Sequence, residues 1–153
     1  MGLFSNLINK ITGGGAKVTV IAENPKLTGI FKVNVKAIVA DGDLKIEKVY
    51  LYLRSIEKTR VRNVQFPATS TQSAQQRDVN GEEEVSKTEF VVAPAQTLTG
   101  KQEYNWTADV QLPPNALPTY MGKNAWYEWE ILAGLDAPGN DPDSGWIKLM
   151  LVN

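Results

Sequence analysis

The spacing of apolar residues changes once along the chain, at three consecutive glycines. Before the glycines, apolar side chains recur every three or four positions, which is the period of an amphipathic helix. Five of them share one helical face, namely Leu3, Phe4, Leu7, Ile8 and Ile11. Glycines at 13–15 favour the end of a helix, because glycine readily takes the left-handed conformation of a C-terminal cap. We therefore predict a short amphipathic helix and a glycine elbow over residues 1–15.

After the glycines, apolar and polar residues alternate, which is the period of a half-buried strand. The alternation is clear in "AKVTVIAE" from residue 16, in "IFKVNVKAIVA" from residue 30, in "EYNWTADVQL" from residue 103 and in "NAWYEWEILAGL" from residue 124. About seven such segments, joined by turns rich in proline, glycine, asparagine and aspartate, predict an all-β, antiparallel, immunoglobulin-like sandwich. We expect residues 16–153 to form this sandwich as a single domain.

Two irregularities interrupt the alternation. Ile46 and Val49 belong to opposite phases of the pattern, which predicts a β-bulge near Glu47 and Lys48. Residues 67–87 are polar and nearly free of large apolar side chains, so we predict a long mobile loop there, with weak edge pairing at most.

The N-terminal apolar stripe needs a surface to cover it, because an isolated helix of about ten residues is marginal in water. A secretion signal is excluded because polar residues interrupt the apolar positions, and a myristoylation signal needs serine or threonine where Asn6 stands. A membrane surface would benefit from more cations than Lys10 alone. We therefore predict that the stripe docks on its own sandwich or on a neighbouring subunit of a homo-oligomer.

Composition narrows the classes of function. The 153 residues include no cysteine and no histidine, which removes disulfides, thiolate nucleophiles, histidine bases and Cys/His zinc sites. A net charge of −1 gives no bulk attraction to nucleic acid, and no apolar run approaches the roughly 20 residues that span a bilayer. Without an export signal or cysteines, we expect a cytoplasmic protein with no cofactor.

The strongest candidate for catalysis is the segment "WYEWE". Glu128 and Glu130 lie two residues apart on a predicted strand, so their carboxylates share a face at a separation of roughly 7 Å. Carboxylates near this separation, flanked here by Trp126 and Trp129, are typical of glycosidases and sugar-binding sheets. The simpler interpretation is that both glutamates are the solvent half of an alternating strand, since neither has an apolar pocket to raise its pKa. A sandwich that binds or cleaves carbohydrate with these four residues is the alternative hypothesis.

The acidic loop over 136–145, "DAPGNDPDSG", has a metal-binding and a structural interpretation. Asp136, Asp141 and Asp143 supply oxygen ligands of the kind that calcium prefers. The loop lacks the EF-hand spacing, and ordinary turn chemistry explains its aspartate, asparagine, proline and glycine residues. The turn is the preferred interpretation, and no metal site is predicted.

A basic stripe is formed by residues at even spacing, namely Arg54, Lys58, Arg60 and Arg62. Such a stripe suits phosphate or an acidic partner. It is more often a charged edge that prevents sheet-to-sheet aggregation, and the acidic run "EEE" at 82–84 offers a charge that neutralises it.

Four stretches, taken in order, resemble the arrestin-like fold, and most closely the bacterial sporulation-control proteins that carry it. The stretches are "MGLFSNLINKITGGGAKVTV", "LKIEKVYLYL", "LPPNALPTY" and "WEILAGLDAPGNDPDSGWIKL". They are similar, in that order, to the family's N-terminal helix with its first strand, its third strand, a proline-bracketed link, and a late strand with an acidic turn. Arrestin-like proteins usually carry two sandwiches, and this chain has the length of the N-terminal one only.

The resemblance implies a function without catalysis. Proteins of this type are adaptors, scaffolds or regulators that hold other proteins through strand edges and loops. In the bacterial relatives this activity bears on sporulation or stress control. The leading hypothesis is therefore a cytoplasmic protein-interaction module that is not an enzyme, with other proteins or further copies of itself as partners.

Overall fold

The computed structural model describes residues 14–152, and this part of the chain contains eight strands and no helix. The strands are β1 (Ala16–Glu23), β2 (Ile30–Val39), β3 (Leu44–Phe66), β4 (Gln75–Leu98), β5 (Glu103–Gln111), β6 (Tyr120–Met121), β7 (Ala125–Asp136) and β8 (Ile147–Leu149). None of the described segments is thus a long apolar helix that would cross a bilayer. The predicted N-terminal helix lies outside the described residues, and so do its docking residues Leu3, Phe4, Leu7, Ile8 and Ile11.

The strands form two antiparallel sheets, so the predicted all-β sandwich is confirmed at this level. The small sheet has the order β1-β2-β5. The large sheet has the order β4-β3-β7, with both β6 and β8 on the far side of β7. The strands number eight rather than about seven because the two-residue β6 is too short to show an alternation.

The core lies between the inner faces of the two sheets. Alternation places Val33, Val35 and Ala37 of β2 inward, where they are completely buried. Facing side chains of the large sheet close the core from the other side, including Ile46, Leu51, Leu98, Ile131 and Leu135. Each such side chain stabilises the fold by about 1.5–3 kcal/mol relative to an exposed position, so this layer is the main support of the sandwich.

β3 and β4 form a hairpin that is longer than the rest of the large sheet. β3 pairs with β7 only as far as Thr59, whereas its pairing with β4 continues to Phe66. Residues 60–66 and 75–80 therefore extend beyond the sandwich by roughly 20 Å as a two-stranded arm, which we call the ribbon.

The prediction of a long loop over residues 67–87 is wrong for most of that range. β4 begins at Gln75, so the connection between β3 and β4 is confined to residues 67–74. The prediction failed because both faces of this part of β4 are exposed, so its sequence has no alternation of apolar and polar residues. Backbone pairing with β3, rather than burial, determines its conformation.

The predicted change of phase in β3 is present. Ile46 and Val49 are both buried, so the alternation of buried and exposed residues slips between them. The pairing with β4 shifts register between Val49 and Tyr50, where β4 contributes the unmatched residue Val92. The bulge therefore lies on the partner strand, just beyond its expected position near residue 47.

Candidate functional site

The charged residues singled out in the sequence meet on the outer face of the large sheet, which points away from the core. Strand pairing places Arg54 of β3 opposite Glu130 of β7, and Ile56 opposite Glu128. Because both strands alternate, the cations of β3 and the glutamates of β7 project to the same side. This face therefore carries a ladder of opposite charges.

Glu128 is the centre of one ion-pair cluster. Lys58 Nζ lies 2.8 Å from one carboxylate oxygen, and Lys148 Nζ lies 3.2 Å from the other. Glu128 is 7% exposed. The hydrogen bond from Lys58 lowers the pKa of Glu128, and Lys148 adds to this effect against the opposing effect of burial. The same hydrogen bond raises the pKa of Lys58.

Glu130 belongs to a second cluster, built around Arg54. The guanidinium approaches Glu130 to 2.7 Å and Glu84 of β4 to 3.2 Å. The ring of Trp146 covers this guanidinium at 3.8 Å from its centroid, and Lys87 lies 5.9 Å from the same ring. Stacking of arginine on an aromatic face leaves its N–H groups free to bind carboxylates. The ring of Trp146 and the carboxylate of Glu130 therefore hold the guanidinium of Arg54 together.

The surroundings of the two glutamates do not suit acid catalysis. A general acid needs a raised pKa, whereas that of Glu128 is lowered, and Glu130 accepts hydrogen bonds from Arg54. The two glutamates do share the outer face, as expected, but they are buried there beneath cations and Trp146 rather than open to solvent. Trp129 points to the opposite face and is 2% exposed, so it does not join them in a sugar site.

We expect Glu128→Gln to lower the free energy of unfolding by about 1–3 kcal/mol at neutral pH, because Lys58 and Lys148 lose their shared acid. Because the pKa of Glu128 is lowered, its carboxylate stabilises the fold at pH values above 4.5, the ordinary pKa of glutamate. This contribution is lost as the pH falls below that value. The difference between wild type and variant, measured by urea unfolding, should therefore shrink from neutral pH to about pH 3.

Glu83→Gln is the control for this experiment, because Glu83 lies on exposed β4 and has no ion pair in the described part of the chain. Its effect should stay below about 0.5 kcal/mol at every pH. A Glu128→Gln effect that does not change with pH would contradict the assignment of Glu128 as an ionised centre.

A cleft of about 340 Å³ opens on the same face at the base of the ribbon. Side chains from three strands line it, including Lys58, Arg60, Asn80, Glu82, Trp126 and Glu128. Of the four residues in the carbohydrate hypothesis, the cleft brings together Trp126 and Glu128. It excludes Glu130, which lies under Arg54, and Trp129, which lies in the core.

The predicted basic stripe is divided by the structure. Arg54 and Lys58 pair with the glutamates of β7. Arg60 and Arg62 lie on the ribbon and have no ion pair within residues 14–152. From the acidic run at 82–84, Glu84 alone pairs with the stripe in the described part of the chain. β7 therefore supplies most of the neutralising charge, and it does so only along the first half of the stripe.

Hydrogen bonds within the protein hold the acidic loop. Asp141 accepts a hydrogen bond from the hydroxyl of Tyr50 at 3.0 Å and another from the backbone N–H of Ala137 at 3.1 Å. Asp143 accepts one from the backbone N–H of Gly145 at 2.7 Å. Burial, followed by the bond to Asp141, raises the pKa of Tyr50. Within residues 14–152 no group of three side chains is arranged to hold a metal ion.

The sequence reasoning missed Trp146 and Lys148, which complete the two clusters. Trp146 precedes β8 and Lys148 is its middle residue, and β8 lies beside β7 opposite residues Trp129 to Ile131. The alternation in "WIKL" is a signal that places Lys148 and Trp146 on one face. Nothing in the local sequence indicates that this face meets Glu128.

Comparison with known proteins supports the architecture. No protein-family model matches the chain, and no curated protein does. Among solved structures, the fold is similar to that of Spo0M, a sporulation control protein from Bacillus subtilis, with a TM-score of 0.62 and 16% sequence identity. The fold is shared with Spo0M. The match covers 92% of this chain and 51% of the Spo0M chain, so the chain spans about half of that protein's length.

This likeness confirms the predicted resemblance to sporulation-control proteins at the level of the fold. At 16% identity the match assigns no role to any residue, so a role for the outer face must be argued from its chemistry.

Proposed function

We propose that this protein is a non-enzymatic, cytoplasmic protein-interaction module of the arrestin-like type, which acts as an adaptor, scaffold or regulator. The observation that carries the proposal is the similarity of its fold to a sporulation control protein over 92% of the chain. The proposal includes a control function in sporulation or stress, which the same similarity supports. Partners are other proteins or further copies of this chain.

The use of charge on the outer face supports a binding role over a chemical one. Glu128 and Glu130 are each held by cations from neighbouring strands. Ion pairs of this kind fix the positions of the charges on a surface. The face is therefore suited to present a defined pattern of charge to a partner.

An apolar contact surface lies at the edge of the large sheet formed by β6 and β8. Backbone and hydroxyl hydrogen bonds between Thr119 and Leu151 join the segments that precede β6 and follow β8. Five large side chains in β6 and in these two segments are 53–62% exposed, namely Leu117, Tyr120, Met121, Met150 and Val152. We call this set the apolar rim. We infer that the apolar rim is a contact surface, because exposed apolar side chains concentrated in one region of a folded domain are typical of protein–protein contacts.

The test is affinity capture from native lysate in several growth states, with the full chain as bait. We expect at least one enriched protein, and we expect its yield to fall about tenfold or more with the bait Tyr120→Asp/Met150→Asp, because two charges then face an apolar contact. Ile21→Asp is the matched control, since Ile21 is 65% exposed on the outer face of the small sheet.

Light scattering of the purified chain, as wild type and as the same two variants, detects a partner that is a second copy. Two results together would overturn the proposal: no protein enriched above an unrelated sandwich of similar size in any growth state, and a monomer at all concentrations. Equal loss of capture with Ile21→Asp would instead remove the apolar rim as the contact surface.

A further inference from the structure

We propose that the cleft at the base of the ribbon binds a carboxylate of an extended acidic segment in a partner protein, and that Arg60 is the residue that binds it. This inference rests on the proposed function as a protein-interaction module. It assigns a binding position, a ligand chemistry and a recognition residue to that module.

The side chain of Arg60 is oriented by its neighbours but forms no ion pair with a carboxylate in the described chain. Its Nε donates a hydrogen bond to Asn80 Oδ1 at 3.1 Å, and its guanidinium lies 5.6 Å from the centroid of the Trp126 ring. Among residues 14–152 it forms no salt bridge, so its terminal amino groups have no carboxylate. An arginine that is oriented by an amide and an aromatic ring loses little entropy when it binds a planar carboxylate through two hydrogen bonds.

The other cation of the cleft is already neutralised. Lys58 Nζ lies 2.8 Å from Glu128, and Glu128 also accepts a hydrogen bond from Lys148. Arg60 is therefore the position in the cleft where an incoming negative charge meets an unsatisfied positive one. Arg62, exposed two residues further along β3 and also without an ion pair, extends the positive potential along the ribbon.

The edge of β3 indicates why the carboxylate should come from an extended polypeptide. Pairing between β3 and β7 ends at Thr59 opposite Ala125, and Arg60 N–H donates to the carbonyl of Asn124. From residue 61 to 66 this edge has no strand beside it within the described chain. A partner strand that pairs with residues 61–66, in line with β7, makes main-chain hydrogen bonds to β3. One end of this strand then lies beside Trp126.

The combination of tryptophan and arginine is typical of residues that dominate binding energy at interfaces. The cleft has a volume of about 340 Å³ and is open to solvent on one side, so it has room for an acidic side chain beside the indole. A neutral sugar would stack on the same ring but would leave Arg60 without its charge partner. Glu82 and Glu128 also line the cleft, but neither forms an ion pair with Arg60 in the described chain, so a carboxylate from a partner is the group that would complete the hydrogen bonds of this guanidinium.

The test is a titration of the full, isotope-labelled chain with an acetylated and amidated hexaglutamate peptide, followed by NMR at the Arg60 Nε–H and the Trp126 indole N–H. We expect saturable shifts of both signals, and none with hexaglutamine. Arg60→Gln and Trp126→Ala should each weaken binding about tenfold or more. Arg60→Lys should restore only part of the affinity, because lysine lacks the planar fork.

Arg77→Gln is the matched control, since Arg77 is an arginine on the same ribbon that stacks on Phe66 at 4.4 Å. It should change the affinity less than about twofold. No saturable shift at Arg60 up to millimolar peptide would overturn the proposal, and so would equal binding of hexaglutamine or of a neutral oligosaccharide. An equal loss with Arg77→Gln would also overturn it, because attraction to the whole ribbon would then explain the binding.

Failure of this site and failure of the proposed function give different results. If wild type and Arg60→Gln capture the same partner in equal yield, this site is not used and the interaction module stands. If hexaglutamate binds at Arg60 while no partner is captured in any growth state and the chain is a monomer at all concentrations, the site exists and the proposed function fails. Circular dichroism of each variant confirms that the exposed ribbon still folds.

Discussion

Trp129→Ala is expected to lower the free energy of unfolding by about 3–5 kcal/mol, among the largest effects available at one position. The indole fills the space between the sheets at 2% exposure, and its N–H donates a hydrogen bond to the carbonyl of Leu117 at 2.8 Å. Its removal opens a cavity and also breaks a link to the segment that leads into β6. Urea unfolding followed by far-UV circular dichroism measures the effect without relying on tryptophan fluorescence.

Trp126→Ala is the matched control, because it removes the same side chain from the same strand but from the opposite face. Trp126 is only partly buried, and its contact is the guanidinium of Arg60. Its loss should cost about 1 kcal/mol or less. The cost of Trp129→Phe should lie between those of Trp129→Ala and Trp126→Ala, since phenylalanine keeps most of the apolar volume but loses the hydrogen bond. Equal costs for the two alanine variants would contradict the assignment of Trp129 to the core.

The alternation of apolar and polar residues was sufficient to predict the sandwich wherever a strand has one buried and one exposed face. β1 and β2 begin at the predicted residues 16 and 30, and alternate residues of the predicted segments, starting from Tyr104 in β5 and from Tyr127 in β7, line the core. In these strands burial determines which face points inward, and the order of residues in the chain records it directly. The fold class could therefore be predicted before any partner strand was known.

The ribbon could not be predicted in this way. From residue 75 to residue 85 every residue of β4 is exposed, so no apolar period distinguishes a strand from a loop. The information that makes it a strand lies in β3, which offers a continuous row of backbone hydrogen-bonding groups. A pattern within one segment does not show whether another segment pairs with it.

The same limit applies to the candidate site. Alternation placed Glu128 and Glu130 on one face, but it did not show that Lys58 and Arg54 stand beside them, because that depends on the register between β3 and β7. The division of the basic stripe also depends on this register, since the pairing of β3 with β7 stops at Thr59 and leaves Arg60 beyond it. Ion pairs between side chains of different strands can be assigned only when the register between those strands is known.

Gly134→Ala is expected to lower the free energy of unfolding by about 2–3 kcal/mol, although alanine normally favours an ordered chain more than glycine does. Gly134 of β7 is paired directly with Tyr50 of β3, and the tyrosine ring lies across it. A Cβ atom at Gly134 would lie 2.3 Å from the hydroxyl oxygen of Tyr50 and 2.4 Å from the ring carbon that carries it. The ring must therefore move, and it is held by its hydrogen bond to Asp141.

A double-mutant cycle with Tyr50→Ala separates this steric cause from a general intolerance of β7. In the Tyr50→Ala background, Gly134→Ala should cost less than about 1 kcal/mol, because the obstructing ring is gone and the two substitutions couple. Gly81→Ala on β4 is the control, since its Cβ would meet only the rotatable hydroxyl of Thr59, at 2.9 Å, and it should stay within about 0.5 kcal/mol of wild type. Equal costs in both backgrounds would show that the Tyr50 ring is not the reason why β7 has a glycine at this position.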